Sequence, residues 1–257
     1  MPITIDEHSL AAIPIEMIFN KTNLAVGTAF VWKDNNNAFW LITNWHNVSG
    51  IDPNTGEHIS KTAAEPNRLR VWFNVKGRMG DKVSKFIDIR SAVGAPLWLV
   101  HPASGNKIDV VAISLQDYDD VDMYAINTLR SMDLLIQIGM DVFVLGFPFG
   151  IGPGGLPIWK RGSIASEPQL AGQAPTLHLL IDTASRPGMS GSPVIRRSWG
   201  RHMIAGGGNI VGMSTGTKFI GVYSGRLASQ DPLDAQLGLT WPASFIPEII
   251  AGGKVDS

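Results

Sequence analysis

Short apolar runs cut by turn residues constrain this chain more than any other feature. Its 257 residues include 28 glycines and 16 prolines, scattered so that no apolar run grows long. That punctuation disfavours long helices and is the pattern of an all-β protein with many turns. Residues 25–32 and 38–43 flank Asp34-Asn35-Asn36-Asn37 and read as a hairpin, because Asp and Asn tolerate the left-handed conformations a tight turn demands. Residues 69–75, 86–90, 97–101 and 110–115 continue a first set of strands. Residues 141–146, 158–166, 177–181, 193–195, 210–213 and 219–224 supply a second. Between the sets, acidic residues 117–122 and the more helix-like residues 124–137 read as a crossing, and residues 244–251 as a short helix. A chain of 257 residues is long enough for one large core or two smaller ones.

Within the second set stands Arg186-Pro187-Gly188-Met189-Ser190-Gly191-Ser192-Pro193, a serine in a glycine-flanked turn before an apolar run. A serine hydroxyl is a poor nucleophile until a neighbouring base takes its proton. It also needs backbone N–H groups to stabilise the oxyanion formed when it attacks a carbonyl. Gly188 permits a sharp turn that would converge the amides of Gly188 and Ser190, with Met189 between them, on one point. Alone, the motif reads more readily as a strand-connecting turn.

Two further segments supply the missing chemistry. Phe39-Trp40-Leu41-Ile42-Thr43-Asn44-Trp45-His46-Asn47-Val48 is an aromatic and β-branched run ending near a histidine. Lys107-Ile108-Asp109-Val110-Val111-Ala112-Ile113 places an aspartate at the head of an apolar strand. Taken singly, His46 reads as a hydrogen-bonded histidine at a strand end and Asp109 as a turn cap. Asp81 and Asp88 compete for the acid's place, but Asp88 falls on the outward face of an alternating strand. Together and in the order His46, Asp109, Ser190, they form the set a Ser-His-Asp triad requires.

These segments resemble the active-site motifs of chymotrypsin-like serine proteases, in the bacterial branch of glutamyl endopeptidases and HtrA-type proteases. Thr28-Ala29-Phe30, Gly146-Phe147-Pro148-Phe149-Gly150 and Arg161-Gly162-Ser163-Ile164 add to the likeness, which spans roughly residues 24–250. The resemblance implies two six-stranded antiparallel Greek-key β-barrels and a short C-terminal helix. The first barrel would span residues 14–122 and carry His46 and Asp109; the second would span 138–252 and carry Ser190, with the site in the cleft between them. It implies serine endopeptidase activity on a protein or peptide, with Gly188, Met189 and Ser190 forming the oxyanion hole. By motif register Ala184, Ser185 and Arg186 form one wall of the primary substrate pocket, and Tyr223, Ser224, Gly225 and Arg226 the other. Ala184 stands where relatives that select lysine or arginine carry an acid, and Tyr223 where glutamate-selecting relatives carry a histidine. An apolar or small residue is therefore expected there. Met189 replaces the aspartate that pairs with a new N-terminus in trypsin-like zymogens, so no such activation is expected. A catalytically silent binding module and an esterase are the alternatives on the same fold.

Several classes of function are disfavoured. The formal net charge is −1, leaving no basic footprint for nucleic acid or an anionic membrane. The absence of cysteine removes disulfides and a cysteine nucleophile. His8, His58, His101, His178 and His202 show no metal-ligand spacing, so neither a metal nor a cofactor is expected. Gly150-Ile151-Gly152-Pro153-Gly154-Gly155 satisfies a dinucleotide fingerprint in letters only, because Pro153 and Pro157 forbid the helix that would hold a pyrophosphate. Residues 1–7 show no basic stretch followed by an apolar one, so a cytoplasmic setting is expected. Nothing resembling a PDZ domain follows residue 250. Residues 196–218 read as a spacer loop or, around Gly206-Gly207-Gly208, as a flexible hairpin near the cleft and within reach of a regulatory protein partner.

Overall fold

The computed structural model describes residues 4–174, 177–226 and 236–257. A single helical turn, α1 (Glu7–Ala11), is capped by Asp6, whose carboxylate accepts from the His8 amide. The chain continues as β1 (Ala12–Phe19), β2 (Thr22–Lys33) and β3 (Phe39–Thr43). Asp34 builds the β2–β3 hairpin by accepting from the amides of Asn36 and Ala38, while Asn37 takes a φ of 66°. A second helical turn, α2 (Trp45–Ser49), precedes β4 (Arg68–Val75), β5 (Lys82–Asp88), β6 (Val111–Ser114) and β7 (Val121–Asp122). The remaining strands are β8 (Asp141–Gly146), β9 (Ile158–Ile164), β10 (Leu179–Asp182), β11 (Pro193–Met203), β12 (Asn209–Arg226) and β13 (Leu237–Pro242). The helix α3 (Phe245–Gly252) follows.

The strands form two antiparallel sheets. The first follows the order β5-β4-β1-β2-β3-β6, with β7 on β4, so it holds seven strands on an open path where a closed set of six was expected. The second, β10-β13-β12-β11-β8-β9, closes into the expected six-stranded barrel. Alternation explains the inward faces: in β4, Leu69, Val71 and Phe73 are buried while Arg68, Arg70 and Trp72 are half-buried.

Three apolar clusters hold the molecule together. One lies within the first sheet, around Ile15, Val31, Leu69 and Trp98. Another fills the barrel, around Val142, Val144, Ile181 and Met189. The third joins them: Phe30, Ile42 and Ala112 from the first sheet meet Leu145, Ile195, Val222 and Trp241 from the barrel, with Phe245 and Ile246 of α3. The strands that carry the candidate site pack through this shared cluster.

Three expectations change. Residues 97–101 form isolated bridges, Leu99 to Ala112 and to Val255, and no continuous strand. Residues 124–137 hold only a 3₁₀ turn, Ile126–Thr128, because the segment docks onto the long β11–β12 hairpin. There Met132 N donates to Thr217 O at 2.8 Å and Leu135 N to Met203 O at 2.8 Å. Tertiary hydrogen bonds outweigh a modest helix propensity. Residues 196–218 are mostly strand, since β11 runs to Met203 and β12 begins at Asn209. The glycines after Phe149 form a 3₁₀ turn, Pro153–Gly155, ahead of an antiparallel strand, so no dinucleotide unit exists there.

The two ends of the described chain cross over. Asp6 reaches Arg197 on β11 at 2.5 Å, and Trp159 of β9 donates to Ser9 at 2.8 Å, so α1 grips the barrel although it leads into the first sheet. Conversely, Asp256 accepts from Trp45 at 2.7 Å and Trp98 at 3.0 Å, tying the segment after α3 to the first sheet.

Candidate active site

His46 sits on the one-turn helix α2 rather than on a strand end. Asn44 breaks out of β3 in extended conformation, and Gly50 ends the turn in the left-handed region, its amide donating to His46 O. The Asn44 side chain donates to Asp109 O at 2.6 Å, which fixes the segment entering β6 beside α2. Asp109 is 2% exposed, and its carboxylate has three donors. Oδ1 accepts from His46 N at 2.9 Å, and Oδ2 accepts from His46 Nδ1 at 2.7 Å and from Ser224 Oγ. A buried carboxylate is tolerable with this degree of satisfaction.

Because an ionised carboxylate only accepts, Nδ1 of His46 carries a proton and Nε2 of the neutral ring keeps its lone pair. Burial pulls the His46 pKa down, but the Asp109 charge, the Asp109 hydrogen bond and the charge of Asp52 outweigh it and leave the pKa raised.

The Ser190 turn is held against the first sheet. Ser190 O accepts from Thr28 N at 2.9 Å and from Asn47 Nδ2 at 3.3 Å, and Thr28 Oγ donates to Gly188 O at 2.7 Å. Gly188 has a φ of 93°, and a Cβ there would lie 2.3 Å from Phe147 O. Gly191 has a φ of 84°, and its Cβ would lie 2.0 Å from Thr28 O. Neither position admits a side chain without moving the backbone. Met189 N donates to Arg186 O at 3.2 Å, so its amide is committed to the turn, while its side chain is buried in the barrel core. Among the described residues, the amides of Gly188 and Ser190 have no backbone acceptor.

His46, Gly188, Ser190 and Ser224 line one cleft. No hydrogen bond joins Ser190 to the His46 imidazole among the described residues; such contacts are often long in unliganded enzymes and tighten with substrate. The rivals of Asp109 lie elsewhere, Asp88 pairing with Arg68 at 2.6 Å and Asp81 with Arg78 at 3.4 Å.

The expected pocket walls divide. Ser224 lines the cleft but also donates to Asp109, a role sequence reading missed. Tyr223 is 1% exposed, with its ring in the barrel core and its main chain bonded to Gly191 N and Ser192 O. Gly225 stands beside Ser190, since a Cβ on it would lie 3.8 Å from Ser190 Oγ. Ala184 and Ser185 are half-buried, and Arg186 is exposed with Nη1 donating to Ser185 O at 2.8 Å. Arg226 ends β12, and its side chain lies outside the described residues. Among the described residues no cluster of three or more metal-ligating side chains occurs, and no helix is long and apolar enough to cross a membrane.

Solved structures share this overall fold. A structure described as the HtrA-type protease AlgW with tripeptide is 17% identical with a TM-score of 0.54, over 95% of this chain and 60% of its own. The serine endoprotease from Yersinia pestis is 13% identical with a TM-score of 0.52, over 98% of this chain and 66% of its own. Identities this low establish the fold, which is chymotrypsin-like, and the chain spans less than two thirds of either protein. The family model for the trypsin-like peptidase domain matches residues 27–202, and the chain belongs to that family. A search of curated proteins found no match.

Proposed function

We propose that this chain is a serine endopeptidase in which Ser190 is the nucleophile, His46 the general base and acid, and Asp109 the residue that orients His46. The observation that carries the proposal is the Asp109 carboxylate bound to both the Nδ1 and the main-chain amide of His46, in the cleft that Ser190 also lines. In the reaction, Nε2 of His46 takes the Ser190 proton as Oγ attacks the scissile carbonyl carbon. The N–H groups of Gly188 and Ser190 receive the oxyanion. His46 then protonates the departing amine, leaving an acyl-enzyme that water cleaves by the same steps in reverse order of partners. Asp109 stays ionised and stabilises the imidazolium, while Ser224 holds the carboxylate in place.

A fluorophosphonate probe tests the proposal. The wild-type chain is expected to be labelled and Ser190→Ala unlabelled, with a quenched peptide library cleaved only by the former. Equal cleavage by both proteins overturns the assignment, and labelling without any peptide cleavage points to the esterase alternative.

A further inference from the structure

The cleft next to His46 opens into a cavity of about 470 Å³, within the range of ordinary small-ligand pockets. Met17 of β1 and Leu24 and Val26 of β2 form one wall, and Asp52, Ile59 and Pro66 from the connection after α2 form another. Among the described residues, none of Ala184, Ser185, Arg186 and Tyr223 lines it. Of the expected wall residues Ser224 does line it, together with Gly188 and Ser190, so the cavity joins the acyl-side pocket at the reactive centre and extends beyond it to Asp52, Ile59 and Pro66.

The chemistry assigns the cavity a direction. His46 hands its proton to the departing nitrogen, so the departing fragment must lie against the imidazole. From Ser190, Gly188 and Ser224 the cavity passes His46 and Asn47 toward Asp52, and the part beyond His46 receives the fragment on the leaving side. Asp52 is the sole Asp, Glu, Lys or Arg among its described lining residues. One oxygen of Asp52 accepts from Asn54 N at 2.8 Å, and the other has no hydrogen-bond partner among the described residues. A half-buried carboxylate with a free oxygen, in a cavity that also presents Met17, Leu24, Val26, Ile59 and Pro66, suits a long side chain with an apolar stem and a cationic end.

We infer that Asp52 makes this cavity a subsite for a lysine or arginine within the first two positions on the leaving side of the cleaved bond. The inference rests on the serine-peptidase reading above and adds a substrate class to it. A glutamate in the same place meets the Asp52 charge at close range, and leucine leaves the free oxygen of Asp52 without a partner.

The test takes one peptide cleaved by the wild-type chain and varies each of the first two leaving-side residues among Lys, Arg, Leu, Ala and Glu. At one of the two positions, kcat/KM for Lys and Arg is expected to exceed that for Leu by roughly fivefold, the scale of a partly exposed ion pair. Glu is expected to be the poorest. Asp52→Asn is expected to bring the Lys to Leu ratio close to one, and Asp52→Lys to favour Glu over Lys. Using ratios within each variant removes the separate effect of Asp52 on His46, which acts on all substrates alike. Ser190-dependent cleavage with a flat or apolar leaving-side preference, or a cationic preference that survives in Asp52→Asn, overturns this inference alone. Absence of Ser190-dependent cleavage overturns it together with the reading it rests on.

Discussion

At the scale of residues, the site is an exercise in satisfying one buried carboxylate. Asp109 gathers two donors from His46 and one from Ser224, so His46 has little freedom to rotate. Ser190→Ala and His46→Ala should each lower kcat by about 10⁴-fold or more, and the double variant little further, because the two act as one unit. Comparable losses that multiply in the double variant would contradict a shared mechanism. The raised His46 pKa sets the pH dependence. Catalysis needs the neutral ring, so kcat/KM should rise with pH through one ionisation above the ordinary histidine value of about 6.5. By linkage, the protonated His46–Asp109 pair contributes stability that is complete below that ordinary value and lost as pH rises through the folded value. Asp52→Asn removes one of the raising charges and should move the acid limb to lower pH. A limb that stays in place or moves upward would show that Asp52 does not act on the imidazole.

Elements decide what the sequence can reveal. The Ser190 turn was legible because its glycines are demanded by backbone: Gly188 and Gly191 both have positive φ and backbone atoms where a Cβ would go. Gly191→Ala should cost more than about 1 kcal/mol in chemical denaturation, since strain at positive φ adds to the clash with Thr28 O. An unchanged midpoint would mean that the turn yields easily. Short apolar runs bounded by turn residues likewise announced β2, β3 and β4. Three features were not legible, for separate reasons. The helical turn under His46 is only five residues long, too short for a periodic signal. The docking of residues 124–137 on the β11–β12 hairpin depends on partners far along the chain. The link from Ser224 to Asp109 needs β12 and β6 brought together, and nothing beside either residue encodes it. Asn47 belongs with these: it donates to Thr43 Oγ and to Ser190 O, tying the helical turn of His46 to the Ser190 turn. Asn47→Ala should lower stability by about 1 kcal/mol, as expected for lost buried hydrogen bonds. It should lower kcat as well, and a stability loss with kcat intact would limit Asn47 to scaffolding.

For the whole molecule, the division of labour between sheets has a consequence. His46 and Asp109 are carried by the first sheet and Ser190 by the turn entering the barrel, so their alignment is a property of how two bodies meet. The apolar cluster around Phe30, Ile42, Leu145 and Ile195 sets the distance between them, but apolar contact alone is non-directional. Direction comes from hydrogen bonds: those of Thr28, Asn47 and Ser224 at the site, and those of the crossed ends, where α1 grips the barrel and Asp256 grips the first sheet. The crossed ends work as a lacing: each body is held by the strand of chain that belongs to the other, and neither can swivel without loosening a knot. Burial opposes ionisation of Asp6, yet its hydrogen bonds to His8 and Arg197 outweigh burial and lower its pKa. The Asp6 knot therefore contributes above the ordinary carboxylate range and is lost only as pH falls through a folded value well below it. Cutting one knot, by Asp6→Ala with Ser9→Ala, should leave each sheet folded while the two drift in register. The expected signature is thermal inactivation of peptide cleavage several degrees below the unfolding midpoint seen by circular dichroism, in a variant whose wild-type parent loses both together.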